Sequence, residues 1–134
     1  MTTTVVDLPE VVAEVREAFD RYEAALRAHD LAALDAFFWD DARAVRYGIA
    51  EHGYGIEEIR ATRRRMAPVS AARRLARTVV SAFGRDAATI SVEFTGDGPG
   101  QVGRQTQTWV RFASGWRIVA AHVSVVREAG LSRG

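Results

Sequence analysis

Between Val12 and Leu26 the apolar side chains Val12, Val15, Phe19, Tyr22 and Leu26 recur every three or four positions, the spacing of a helix with one buried face. Pro9 suits the first turn of such a helix, and Asp7 followed three residues later by Glu10 predicts a capping box at its start. His29-Asp30 interrupts the pattern. Asp30 can cap a second, shorter helix from Leu31 to about Trp39, whose stripe is Leu31, Leu34 and Phe38 with Phe37 beside it; Asp40-Asp41 ends it. A short hairpin follows, Ala44 to Gly48 against Glu51 to Gly55, and then a third helix from Ile56 to Met66. Glu57 and Glu58 in its first turn and Arg63, Arg64 and Arg65 in its last complement the helix dipole, and Pro68 stops it.

After about Arg73 the period changes to two. Residues 74–83 turn at Gly84-Arg85-Asp86 into residues 87–95, where Ala88, Ile90, Val92 and Phe94 alternate with Thr89, Ser91, Glu93 and Thr95. Gly96 to Gly100 is a loop. The chain then closes, from Gly103 to Val126, with two strands of about ten residues each joined at Ala113-Ser114-Gly115, against a usual strand length of about 5–6. Strands this long bend. A bent sheet that carries Gln105, Gln107 and His122 among apolar neighbours can wall a pocket. Helices in front and strands behind predict an α+β fold in one domain over residues 1–134, with an ordered core of about residues 8–126.

Composition narrows the chemistry. All 18 basic residues are arginine and there is no cysteine, so Schiff-base lysines, thiol nucleophiles, thiolate metal sites and disulfides are excluded. A formal net charge of +1 gives no electrostatic reason to expect nucleic acid or a membrane. No apolar run approaches the ~18 residues of a membrane span, and the N-terminus lacks the basic and apolar regions of a signal peptide, so a cytoplasmic protein is expected. The three histidines have no ligand spacing, and no metal site is expected.

A few polar residues stand out by position. Arg46 shares its strand face with Ala44 and Gly48, which leaves room for a carboxylate to meet the guanidinium fork; the same position also suits a surface arginine at a sheet edge. Tyr22 lies on the buried stripe, where its hydroxyl needs a partner: a backbone carbonyl, or a substrate to which it donates a proton beside an arginine. His122 and Ser124 alternate with Trp116, Ile118 and Ala120 on one strand face, as a polar pocket floor or as satisfied core residues. Arg63 falls on the stripe of Ile56, Ile59 and Met66 and is a candidate second anion contact. Gln105, Gln107 and Trp109 share one face of their strand and Arg104, Thr106 and Thr108 the other; alternation does not say which looks inward.

The order helix, helix, hairpin, helix and long strands, with the closing Gly-Trp-Arg-Ile-Val-Ala-Ala-His-Val-Ser, resembles the nuclear transport factor 2-like cone fold, also seen in SnoaL-type polyketide cyclases and ketosteroid isomerases. More specifically, Phe19-Asp-Arg-Tyr22-Glu-Ala-Ala-Leu26, Phe38-Trp39-Asp-Asp, Val45-Arg46-Tyr47-Gly48, Glu51 with Tyr54-Gly55, Gly84-Arg85-Asp86 and Gly103-Arg-Gln-Thr-Gln-Thr-Trp109 resemble the AtzH-like group, which includes the oxalurate-catabolism protein HpxZ. The resemblance implies a cone-shaped, curved antiparallel sheet wrapped around three N-terminal helices with an internal pocket. It implies a homodimer in bacterial ureido or amide nitrogen catabolism, working beside an amidase-type hydrolase on a small anionic, dicarboxyurea-type substrate without metal or organic cofactor. By position it gives Tyr22 and Arg46 as the catalytic pair, with Trp39, Arg63, Gln105, His122 and Ser124 shaping the pocket, the last two facing the cone interior. A non-catalytic partner of an amidase is the first rival. An isomerase or cyclase of a larger apolar substrate is the second, and it would need a lone carboxylate base such as Glu93 or Glu51.

Overall fold

A computed structural model describes residues 3–133. Helix α1 spans Pro9–Arg27, α2 Leu31–Phe37 and α3 Ile56–Arg64, and the strands are β1 Val45–Tyr47, β2 His52–Tyr54, β3 Arg74–Phe83, β4 Ala87–Thr95, β5 Gln101–Phe112 and β6 Gly115–Arg127. All six strands form one curved, open sheet in the order β2-β1-β6-β5-β4-β3. Its pairings are antiparallel except one: the short β1 runs parallel to β6. The helices cover the concave side, giving the expected α+β cone. Val11, Val15, Phe19, Leu34, Ile59, Ile90, Trp109 and Ile118 form the centre of the core, each almost fully buried.

Helix starts follow local chemistry, with one correction. Asp30 caps α2 by accepting from the Ala33 N–H at 3.1 Å. At α3 the Glu58 carboxylate reaches back to the Tyr54 N–H at 2.9 Å, and Glu57 and Glu58 lie in the first turn. Asp7, expected to cap α1, does not: Leu8 holds the cap position without a side-chain bond. Asp7 instead adopts a left-handed backbone (φ 58°) and pairs with the edge of the sheet. Its N–H donates to the Ala82 carbonyl at 2.9 Å and its carboxylate accepts from the Ala82 N–H at 2.8 Å, which satisfies groups that an edge strand would otherwise expose.

A second correction concerns α2, which ends at Phe37 rather than about Trp39. Phe38 and Trp39 are extended, Phe38 bridges Ile118 of β6, and the Trp39 N–H donates to the Ile118 carbonyl at 3.0 Å. Alternation along this extended pair turns Phe38 into the core and leaves Trp39 half-buried at the core's edge. α3 likewise stops two residues before the expected Met66.

The closing hairpin is longer than expected, with strands of 12 and 13 residues. Its register holds the feature that decides the site. Thr108 pairs with Ala120 but Trp109 pairs with Ile118, so Val119 is an extra residue in β6, a β-bulge. Side chains of β6 change faces at that point. Before the bulge Trp116 and Ile118 point into the core; after it Ala121 and Val123 point inward, and Ala120, His122 and Ser124 point outward.

Candidate functional site

A cavity of about 220 Å³ lies between the helices and the concave sheet. Tyr22 and Leu26 of α1, Arg46 of β1, Arg63 of α3, and Phe94, Gln105 and Val123 of the sheet line it. Ile49 of the β1–β2 turn, the connection 66–70 and Asp97 of the β4–β5 loop complete the rim, and Arg73 adds a third guanidinium. The size suits a small ligand, since drug-sized molecules occupy clefts of about 300–1,000 Å³.

Tyr22 arrives here because its stripe on α1 packs against the sheet. Its ring is 5% exposed and meets Phe37 and Trp109 edge-on, at centroid distances of 5.9 and 6.4 Å. Those contacts fix the ring; the hydroxyl has no hydrogen-bond partner among the described residues and opens on the cavity. Arg46 points inward because it pairs with Ala121, which lies on the inner face of β6 after the bulge, and on its other side with Gly53 of β2. Glu51, on the other arm of the same hairpin, touches Arg46 Nη1 at 3.4 Å. Arg63 sits on the inward stripe of α3, 2% exposed, with its Nε bonded to Asp35 at 2.8 Å and its guanidinium 5.0 Å from the centre of the Phe38 ring.

Two N–H donors at this cavity are orphaned. Arg63 Nη2 and Gln105 Nε2 are buried with no hydrogen-bond partner, and both residues line the cavity. A buried unpaired donor costs about 1–3 kcal/mol, and a ligand oxygen that drew either side chain toward the cavity, Arg63 from α3 or Gln105 from β5, would relieve that cost. The open question of the β5 faces is thereby answered: Gln105, Gln107 and Trp109 look inward and Arg104, Thr106 and Thr108 outward. Gln107 is fully buried, accepts from the Trp109 indole N–H at 2.9 Å and leaves its own Nε2 unpaired.

Three expected pocket residues are not brought to the cavity. The bulge at Val119 turns His122 outward, where it is exposed and meets Tyr47 edge-on at 5.5 Å beside Glu51, His52 and Tyr54. Ser124 goes with it and pairs with Arg104 on the outer face. Trp39 lies on another side of the molecule, stacked on Phe112 at 5.7 Å with the Arg43 guanidinium 4.8 Å over its ring. Among the described residues no group of three His, Asp or Glu side chains could hold a metal ion.

The expected list also lacked a buried ion pair. Arg73, just before β3, donates to both carboxylate oxygens of Glu23, at 3.3 and 2.9 Å, and lies 4.1 Å over the Phe94 ring. Gly103 makes room for that ring, because a Cβ there would overlap it. Glu23 stands four residues after Phe19 and three before Leu26, so a carboxylate on an apolar stripe was the available signal. Of the two carboxylates considered as a lone base, Glu93 faces outward and bonds Arg133 at 2.9 and 3.3 Å, and Glu51 is engaged by Arg46.

Comparison with known proteins agrees with this architecture. The chain is similar to a cystatin-like fold protein of Burkholderia xenovorans, at 52% identity over 92% of this chain and 98% of that one, with a TM-score of 0.89. It is also similar to a protein with unknown function from the DUF3225 family in Pectobacterium atrosepticum, at 50% identity over 90% and 94% of the two chains, TM-score 0.86. A nuclear transport factor 2-like superfamily protein of Salmonella enterica shares the fold at 22% identity, covering 93% and 97% of the two chains with a TM-score of 0.72. No curated protein matches the chain. The AtzH-like family model matches residues 4–129, and the chain therefore belongs to the AtzH-like family.

Proposed function

We propose that this protein is a cofactor-independent enzyme that decarboxylates a small carboxylated urea, of dicarboxyurea type, in the cone cavity. The observation that carries the reading is the convergence of the free Tyr22 hydroxyl, the Arg46 guanidinium and the orphaned donors of Arg63 and Gln105 on one small cavity. The two guanidiniums can only donate and the Tyr22 hydroxyl can donate as well, so a ligand rich in acceptors fits them, and a carboxylated urea is rich in carboxylate and carbonyl oxygens. Arg46 holds a carboxylate and the Arg63–Gln105 wall takes a second oxygen. Tyr22 gives its proton to the urea nitrogen as the bond from that nitrogen to the departing carboxylate carbon breaks. The bonding electrons stay on nitrogen, carbon dioxide leaves, and water returns a proton to the tyrosine. Burial of the ring keeps the hydroxyl placed for this transfer.

On this reading the protein works in ureido or amide nitrogen catabolism, beside an amidase-type hydrolase. No helix of the described chain is long and apolar enough to cross a membrane. The convex sheet face, covered by no helix and carrying the exposed Tyr54 and Val79, supports a homodimer; a monomer in sedimentation equilibrium would remove that part of the reading. The test of the activity is carbon dioxide release from a dicarboxylated urea generated in situ. Wild type should turn over, and Tyr22→Phe should lose turnover while still binding malonate as a stable stand-in. Malonate binding by a wild type that turns over no carboxylated urea would favour a non-catalytic role beside the hydrolase.

A further inference from the structure

Each of the three arginines at the cavity is already matched to a carboxylate. Arg46 meets Glu51 at 3.4 Å, Arg63 meets Asp35 at 2.8 Å and Arg73 meets Glu23 at 2.9 Å. Asp97 adds a further carboxylate at the rim. These ionised groups together carry no surplus of positive charge, so an anion gains a full guanidinium only by taking it from its internal partner. Two of the partners are poorly placed to let go. The Glu23 and Asp35 side chains are 7% and 22% exposed and hold short contacts, and separating them would strand a buried charge. Glu51 is different: it is 36% exposed, its contact with Arg46 lies at the long end of hydrogen bonding, and its other oxygen accepts from the Ala50 N–H of the exposed turn at 3.2 Å.

We propose that Glu51 is the counter-ion a ligand displaces. It reaches Arg46 from the β1–β2 turn, where it borders the outer groove of Tyr47 and His52 and not the cavity, competes with the incoming carboxylate for the same guanidinium, and swings into solvent when the ligand wins. The inference rests on the reading of Arg46 as the carboxylate contact. It makes Glu51 a specificity residue: a ligand without a carboxylate cannot replace it on Arg46. Gly48 is the device that permits the contact. A Cβ at Gly48 would overlap the Glu51 carboxylate and lie 3.0 Å from Arg46 Nη1, while the Gly48 backbone is not left-handed and accepts alanine. Two variants therefore loosen the pair by different means. Glu51→Gln removes the charge, and Gly48→Ala keeps the charge but removes its space.

The test is isothermal titration of malonate, with malonamide as the uncharged control, into wild type, Glu51→Gln, Gly48→Ala and Arg46→Ala, each first shown to be folded by thermal denaturation. Loss of a competing half-exposed ion pair should tighten malonate binding by about two- to fivefold in Glu51→Gln, with Gly48→Ala moving the same way and malonamide unchanged. Weaker or unchanged malonate binding by folded Glu51→Gln overturns the proposal, the weaker case meaning that Glu51 positions Arg46 instead. If Gly48→Ala does not fold, Glu51→Gln decides alone. Arg46→Ala separates the two levels: undiminished malonate binding refutes the role of Arg46 itself, whereas lost binding there with no tightening in Glu51→Gln refutes displacement only.

Discussion

Replacing Glu23 by alanine should be among the most damaging single changes to this fold. The Glu23 and Arg73 side chains are 7% and 4% exposed, and the guanidinium bonds both carboxylate oxygens while lying against Phe94. Removal of the carboxylate leaves a buried guanidinium with no counter-charge, a change that costs about 3–5 kcal/mol. For a domain whose whole stability is about 5–15 kcal/mol, that is at least about a fifth of the total. With a urea m-value of about 1–3 kcal/mol per molar, the unfolding midpoint should fall by at least about 1 M with the slope unchanged. Urea titration followed by the fluorescence of the three tryptophans, one of which, Trp109, is fully buried, reads this directly. The control is Glu23→Met combined with Arg73→Met, which removes both charges, keeps most of the volume and should recover much of the loss. A loss below about 1 kcal/mol in Glu23→Ala, or a double variant no more stable than the single one, would refute the claim that buried pairing rather than packing holds this end of the cavity.

Other variants probe separate parts of the account. Arg46→Ala should weaken malonate by at least ~2 kcal/mol, the scale of a lost charged hydrogen bond, and a smaller loss in titration calorimetry would return Arg46 to a surface role. Gly103→Ala drives a methyl group into the buried Phe94 ring and should cost about 1–3 kcal/mol by urea unfolding; an unchanged midpoint would mean the ring is free to move. The side chain and backbone N–H of Arg43 bond Asp41 and hold its carboxyl down from 3.8 to about 2. Because the folded value is the lower one, the stabilisation is complete above 3.8 and is lost as pH falls toward 2, so Asp41→Asn should flatten that limb of the acid-unfolding curve. An NMR titration of the Asp41 carboxyl with a midpoint near 4 would contradict this.

The parts of the site legible in the sequence are those set by local periodicity. Tyr22 and Arg63 stand on helical stripes whose other members are apolar, and burying the stripe carries them inward. Arg46, flanked by Ala44 and Gly48, was readable as an anion contact but equally as a surface arginine, and only its pairing with Ala121 decides for the inner face. What failed was phase along β6. In Ile118-Val119-Ala120-Ala121 every residue is apolar, so nothing in the pattern marks Val119 as the extra one, and counting by twos through it puts His122 and Ser124 on the wrong face. The pairing with β5 fixes that phase, and a strand partner is a tertiary fact. Trp39 failed for a related reason: the Leu31–Phe38 stripe hides a switch from helix to strand at Phe38. Glu23 and Arg73 are 50 residues apart, and although Glu23 was conspicuous on its stripe, nothing local identified its partner.

The most direct measurement is a crystal structure of the protein with malonate. The account predicts one carboxylate within hydrogen-bond distance of the Arg46 guanidinium, with Glu51 turned toward solvent. It predicts a second oxygen of the ligand on Arg63 Nη2 or Gln105 Nε2, and the Tyr22 hydroxyl facing the ligand. Malonate seated on the convex face at His122 and Tyr47, with the cavity empty, would contradict it.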